Sequence, residues 1–394
     1  MKKIGLTTLV TALVIALLCA GYAHYRLGQA QPGALLVGFI YENDDSTTYT
    51  YNFSQAQAAL EKAFGDRVKT LSKSNVLETE TAGPLRELAD KGCRLIFTNS
   101  YSDQVRLVAS EYPDVQFCQV SCFDPTGMAL PGNYHTFNGE TYQGRYVSGV
   151  AAGLKLRAMI DRGEIAADKA LVGFVGAKPT ADVISSYTAF LLGVRSAAPE
   201  ATLRVRYTGA WTSYDREKAA AERLIDEGCL VISQHAHTIG AAVACAEAEQ
   251  RVYHVGFYRD MMDVAPTASL ISARVNWTPY VTGAVEAVMN GEPIEKRVKG
   301  TKHGRDVCGG FEDGWIEMLE LNSNFAEPGM QEALDRTVEA LRKGRLSVFK
   351  GDYIGVNLAN ASDSVNLKDG FTENAQSSFP SFHYILDGVV AIGE

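Results

Sequence analysis

Leu35–Tyr41 reads LLVGFIY and Ala170–Gly176 reads ALVGFVG, with Gly38 and Gly173 in register. A second matching pair follows. Arg86–Ser100 reads RELADKGCRLIFTNS and Ala221–His235 reads AERLIDEGCLVISQH, so that Gly92-Cys93 matches Gly228-Cys229. The first pair lies 135 residues apart and the second 136. A nearly constant offset across two segments marks an internal duplication. In each copy the apolar run flanked by Gly has the pattern of a parallel strand buried on both faces.

The rest of each copy keeps one order. Apolar residues recur at helical spacing after the first strand, as Phe53, Ala56, Leu60 and Phe64 in one copy and Val183, Ile184, Tyr187, Phe190, Leu191 and Val194 in the other. A second strand is predicted at Arg67–Leu71 and Thr202–Tyr207. A second helix stops at Gly92 or Gly228, and a third strand covers Arg94–Thr98 or Leu230–Ser233. The expected fold class is α/β, with two doubly wound Rossmann-like lobes joined by a hinge. Residues 34–140 form lobe 1, completed by part of 262–330; residues 141–260 form lobe 2, completed by part of 331–394. The chain crosses between lobes near Gly139–Leu156, near Tyr258–Asn276 and again in the tail from Gly351. Such sheets bind ligands at the carboxyl ends of their strands. The stretches there are Glu42–Phe53, Asn99–Gln104, Ala177–Val183 and Gln234–Gly240, rich in Tyr, Asn, Ser, Thr, Asp and His. They predict a polar, aromatic-lined cleft.

Composition narrows the function. Of 394 residues 46% are hydrophobic and 21% charged, and the net charge is −9. That is enough apolar material for two cores, and it argues against nucleic acid as a partner. Lys2 and Lys3 precede an apolar stretch from Leu9 to Ala20 interrupted by Thr11, the pattern of an export signal. A cut after Ala23 or Ala30 removes it; retention would leave an N-terminal anchor. Leu17 and Leu18 before Cys19 fit a lipidation site poorly. The expected location is therefore periplasmic, or the extracytoplasmic membrane surface. Six cysteines remain after cleavage, Cys93, Cys118, Cys122, Cys229, Cys245 and Cys308. Their pairing is open, and most lie in apolar segments where they pack as small hydrophobes. His235 and His237 form an H-x-H pair without a clear third ligand, so no metal is expected. No cofactor is expected either: the G-x-x-x-x-G-K-[ST] phosphate loop and the G-x-S-x-G elbow are both missing from the sequence.

Seven stretches carry a family resemblance: Tyr49-Thr50-Tyr51-Asn52-Phe53-Ser54, Glu140–Gly153 (ETYQGRYVSGVAAG), Trp211–Asp215 (WTSYD), Ser233–His237 (SQHAH), Gly256–Met261 (GFYRDM), Val275–Tyr280 (VNWTPY) and Pro380–Val389 (PSFHYILDGV). In these the chain resembles the basic membrane protein family of ABC-transporter solute-binding proteins, which bind purine nucleosides or nucleobases. The resemblance implies a type I periplasmic-binding-protein architecture, a monomer, a purine-like ligand and an ABC permease as partner. It implies that Tyr49, with Asn52 in the same stretch, and Trp211 stack on the two faces of a base. It also implies that Asn99, Ser100, Gln234 and His235 hold the ring edge or sugar, and that Tyr258, Asp260, Asn276 and Trp277 stand at the lobe junction. The family usually has Asp where Tyr258 stands, and that carboxylate holds ribose; its replacement points toward a free base or another flat heterocycle.

Plainer roles exist for several of these residues. The YTYNF run alternates like an edge strand, Trp211 could cap a core, Trp277 could be hinge packing, and Gln234 could satisfy loop backbone. Two other functions stand beside capture for transport. One is a membrane-anchored sensing module; the other is a nucleoside hydrolase, which would need a carboxylate or metal-activated water.

Overall fold

The computed structural model describes residues 33–392. The leader at 1–30 lies outside the described residues; among those described, no helix is long and apolar enough to cross a membrane. The first half runs β1 (Leu35–Ile40), α1 (Thr48–Phe64), β2 (Val68–Lys73), α2 (Ala82–Asp90), β3 (Leu95–Thr98), α3 (Gln104–Glu111), β4 (Gln116–Val120) and β5 (Tyr134–Gly139). After α4 (Thr141–Asp161) the order recurs as β6 (Leu171–Gly176), α5 (Ala181–Ala197), β7 (Thr202–Tyr207), α6 (Tyr214–Asp226), β8 (Val231–His235), α7 (Gly240–Glu247), β9 (Tyr253–Phe257) and β10 (Ser269–Val275). The strands lie in the orders β2-β1-β3-β4-β5 and β7-β6-β8-β9-β10, each pair parallel. The protein is thus two doubly wound lobes. In both, the strand order reverses beside the first strand, which opens a crevice at that strand's carboxyl end.

The remaining chain completes both sheets. It runs through α8 (Thr278–Asn290), β11 (Thr301–His303), β12 (Asp306–Gly309), β13 (Ile316–Met318), α9 (Met330–Arg342), β14 (Ile354–Asn357), β15 (Asn360–Asn366), β16 (Ile385–Leu386) and β17 (Val389–Ile392). β12 joins β5 and carries β11 in the first sheet, whereas β13 joins β10 and β17 joins β7 in the second. The second sheet therefore runs past residue 260 and draws two strands, β10 and β13, from 262–330. β14, β15 and β16 make a small third sheet.

Steric repetition explains why both copies carry Gly in the first strand. A Cβ on Gly38 would meet Leu88 and Ile96 at 3.0 and 3.1 Å; one on Gly173 would meet Ile232 and Leu224 at 2.6 and 3.2 Å. Helix and neighbouring strand press on the same spot in both lobes. The start of α1 departs from the expected loop over Glu42–Phe53. Thr47 is its N-cap, with extended backbone and a side chain accepting from the Thr50 amide. This cap turns the YTYNF run into the first turns of a helix, so Tyr49 and Asn52 are helical and the edge-strand alternative is excluded.

Three crossings lie together between the lobes: β5 to α4, β10 to α8, and β12 to β13. Backbone bonds tie them side by side, from the Glu140 amide to the Gly309 carbonyl at 2.9 Å and from the Asn276 amide to the Trp315 carbonyl at 2.6 Å. Such adjacent crossings are the geometry of a hinge. The six described cysteines are free thiols, five of them buried. Helices α4 and α5 touch backbone to backbone: a Cβ on Gly149 would lie 2.0 Å from the Phe190 carbonyl oxygen, and one on Gly193 2.1 Å from that of Tyr146. Gly149→Val should therefore force the helices apart and destabilise the protein by about 2–3 kcal/mol. Thermal unfolding would show this as a drop of several degrees; an unchanged melting temperature would contradict the packing.

Candidate functional site

The carboxyl ends of both sheets converge on one aromatic group. Tyr49, on the first turn of α1, is 1% exposed and donates its hydroxyl to the Asn99 carbonyl at 3.0 Å, across the end of β3. His237, beyond β8 of the other lobe, stacks on Tyr49 with centroids 4.6 Å apart and planes at 22°. The same imidazole stacks on Trp211 at 5.0 Å and 24°. Tyr101 completes the group, 6.3 Å from Tyr49 and 6.2 Å from Trp211. Backbone holds the group in place. The Thr48 amide donates to the His237 carbonyl at 2.9 Å, and the His237 amide to the Trp211 carbonyl at 2.8 Å. Glu217 of α6 fixes the loop from below, accepting from the Thr238 amide at 3.0 Å and its hydroxyl at 2.6 Å. Arg259 adds a cation–π contact, 4.8 Å over Tyr51 of the other lobe.

The sequence-predicted residues separate into two groups. Tyr49, Trp211, His235 and Tyr258 belong to the junction: Tyr258 lies 5.2 Å from Tyr49, and His235 lies 5.8 Å from Trp211 and 6.2 Å from Tyr258. Ser100 and Gln234 are fully buried at the ends of β3 and β8. The others use their side chains in scaffolding. Asn99 accepts from the Glu42 amide at 2.9 Å. Asn52 donates its Nδ2 to the Val275 carbonyl at 2.8 Å, while its Oδ1 is buried without a partner. Asn276 donates to Glu317 at 2.8 Å, and Asp260 accepts from the Met262 amide at 2.9 Å. Trp277 packs on Phe53 and Phe137, each 5.5 Å away, which is the hinge-packing alternative.

Residues outside that set matter as much. Tyr101 and His237 sit inside stretches read as cleft lining. Arg145 of α4 gave only the signal of a lone cation among small and apolar residues. It is fully buried. It donates to the Gln234 carbonyl at 2.8 Å and the Ser233 hydroxyl at 3.4 Å, and its guanidinium lies 3.5 Å from the centre of the Phe257 ring.

A run of polar atoms at this junction is buried with no hydrogen-bond partner within the protein: Glu42 Oε2, Thr48 Oγ1, Ser100 Oγ, Asp182 Oδ1, Gln234 Nε2 and the Nδ1 atoms of His235 and His237. Buried polar atoms are ordinarily paired, so their concentration where two aromatic-lined strand ends meet makes this the candidate ligand site. Tyr258 adds backbone strain, with φ +70 in a bulky residue, a feature that collects at functional sites. Among the described residues no cluster of His, Cys, Asp or Glu is arranged to hold a metal. A groove of about 600 Å³ lined by Ile271, Phe311, Leu334 and Val338 lies away from the junction.

Burial sets the charge states. It pushes Glu42 and Glu217 up to about 7, and Glu140 likewise. It pulls His237 down to about 3, and His254 to about 3 with help from the Arg145 charge. The raised acids contribute stability that is full below 4.5 and lost as pH rises through about 7. The lowered histidines contribute stability that is full above 6.5 and lost as pH falls toward 3. The two trends oppose between 6.5 and 4.5, and below 4.5 the histidine loss is joined by that of carboxylates held low by hydrogen-bonded ion pairs, such as Glu87 with Lys73 and Lys91. His254→Gln should therefore flatten the acid limb by roughly 1.4 kcal/mol per pH unit. Denaturation at pH 3.5–4.5 checks this; a variant whose acid limb is as steep as the parent's would contradict it.

Comparison with known proteins agrees with this geometry. The chain is 28% identical over 347 residues to a purine-binding protein of Brucella abortus, covering 87% of this chain and 89% of that one. It is 27% identical over 337 residues to a putative ABC transporter glucose-binding protein of Haloferax volcanii, covering 84% and 78%. An ABC transporter solute-binding protein of Aeropyrum pernix superposes with a TM-score of 0.65 over 79% of this chain and 92% of that one, at 14% identity, which speaks for the fold alone. A family profile described as ABC transporter substrate-binding protein, PnrA-like, matches residues 36–344. With two lobes, an aromatic junction and this match over most of its length, the chain belongs to the PnrA-like ABC transporter substrate-binding proteins, a family of binding proteins and not of enzymes.

Proposed function

We propose that this protein captures a flat purine-like heterocycle, as the free base, at the junction of its lobes and passes it to an ABC permease. On this reading the leader exports the chain, and binding takes place outside the cytoplasm. The observation that carries the proposal is the set of unpartnered buried atoms beside the Tyr49–His237–Trp211 stack. Gln234 Nε2 offers a donor, while Glu42 Oε2 and the histidine Nδ1 atoms add polar groups at mixed positions. The edge of a purine presents a matching mixture of donors and acceptors. The Brucella abortus relative is named for purine binding, which supports the same class.

The preference for a base over a nucleoside rests on Tyr258. Its ring packs on Phe257 at 3.9 Å and lies 5.2 Å from Tyr49. That places a bulky aromatic where the family resemblance implies a ribose-holding carboxylate. Stacking is worth about 1–3 kcal/mol per base contact, and a micromolar complex needs about 8 kcal/mol. Hydrogen bonds to the buried atoms must therefore supply much of the affinity, and they provide the selectivity as well.

Calorimetric titration with hypoxanthine, adenine, inosine and glucose tests the reading. Binding of a base in the micromolar range or tighter, with inosine weaker, is expected; binding of glucose alone would overturn it. Trp211→Ala should weaken base binding by about 1–3 kcal/mol, roughly 5- to 150-fold. Tyr258→Asp should shift preference toward inosine, because Asp tolerates the left-handed backbone there and offers a carboxylate to ribose. An unchanged base-to-nucleoside ratio in this variant would remove Tyr258 from the selectivity argument.

A further inference from the structure

Arg145 is fully buried, and among the described residues no carboxylate lies within ion-pair distance of it. Its two hydrogen-bond acceptors, the Gln234 carbonyl and the Ser233 hydroxyl, are neutral. Its Nε has no partner. The Phe257 face gives it a cation–π contact, which is a fraction of what an isolated buried cation loses on leaving water. Burying a positive charge without an anion is costly enough that proteins ordinarily supply one.

The groups around this charge do not neutralise it. Gln234 and His235 are the last two residues of β8, the strand that Arg145 bonds, and both carry unpartnered atoms at the junction. His254 bonds the Gln234 side chain at 2.8 Å. The Arg145 charge contributes to holding His235 and His254 neutral. It favours the ionised form of Tyr258, but burial of that phenol wins and keeps it protonated. Two carboxyl groups stand at the same junction, Glu42 in one lobe and Asp182 in the other. Burial raises both above their ordinary values, Glu42 to about 7, which lessens the negative charge they set against an anion.

We infer that the ligand of this cleft is an anionic, oxygen-rich flat ring, and that Arg145 is the positioning residue that selects it. Arg145 acts beneath the Gln234–His235 segment, by its field and by fixing the Gln234 backbone; Gln234 Nε2 and the Ser100 hydroxyl are the donors that meet the ring oxygens. A deprotonated oxopurine satisfies both demands, being flat enough to stack and carrying the missing negative charge. The inference rests on the heterocycle-binding reading above and narrows it from purine-like to acidic oxo-heterocycle.

The test is a titration series at neutral pH on the full chain with urate and orotate, which are anions there, against hypoxanthine and adenine, which are neutral. Urate or orotate should bind at least tenfold more tightly than hypoxanthine. Arg145→Gln should bring that ratio close to one, and Arg145→Lys should retain most of it, a difference that a purely structural role for Arg145 would not produce. Should Arg145→Gln fail to fold, the ratio in the parent protein still decides. Neutral bases bound as tightly as the anions would overturn the charge inference while leaving the purine reading intact. An anion bound where neutral bases are not would support the charge inference and narrow the purine reading. Failure of all four probes to bind would overturn both.

Discussion

The junction depends on one hydrogen bond with a ring contact beside it. Thr48 is the first residue of α1, and its amide is one of the donors that a helix start leaves without an intrahelical acceptor. The His237 carbonyl of the opposite lobe takes that donor at 2.9 Å. One residue further on, Tyr49 stacks on the His237 ring. A helix terminus of one lobe is thus completed by a loop of the other, so this contact satisfies backbone as well as burying rings. The same loop is anchored below by Glu217, whose carboxylate also accepts weakly from the Ala241 amide at 3.4 Å. A change at Glu217 therefore acts on both lobes through His237.

Around that contact the protein leaves polar atoms unsatisfied, at a cost of about 1–3 kcal/mol for each unmade bond. A stable core would not gather Ser100, Gln234, His235 and His237 in this condition without a compensating gain. On the proposed function, binding supplies it: a ligand that pairs these atoms recovers energy the fold has left unused. Arg145 extends the logic from hydrogen bonds to charge. Tyr258 extends it to backbone, since a bulky residue with positive φ persists only where its surroundings hold it.

The duplication made most of the fold legible. Gly38 and Gly173 in register announced two equivalent strands, and the equivalent approach of Leu88 and Ile96 to Gly38 and of Leu224 and Ile232 to Gly173 shows why. The aromatic ends of the cleft were legible for the same reason, because residues following buried strands must line the crevice. What sequence could not supply was the use to which each polar side chain is put. Asn99, Asn276 and Asp260 have the right chemistry for ligand contact but use it on backbone or a neighbouring carboxylate, as does the Nδ2 of Asn52, and only three-dimensional proximity decides that. Arg145 escaped notice because a single cation in a small-residue helix reads as solvent-facing until burial is known. The helical start at Thr48 was missed because Thr47 looked like one polar residue among many, although it is the cap.

A crystal structure of the protein with hypoxanthine bound measures the central claim directly. The base should lie against the Tyr49–His237–Trp211 stack with its edge hydrogen-bonded to Gln234 Nε2 and at least one of Ser100, His235 and Glu42. A base seated elsewhere, with those atoms bonded only to water, would contradict it.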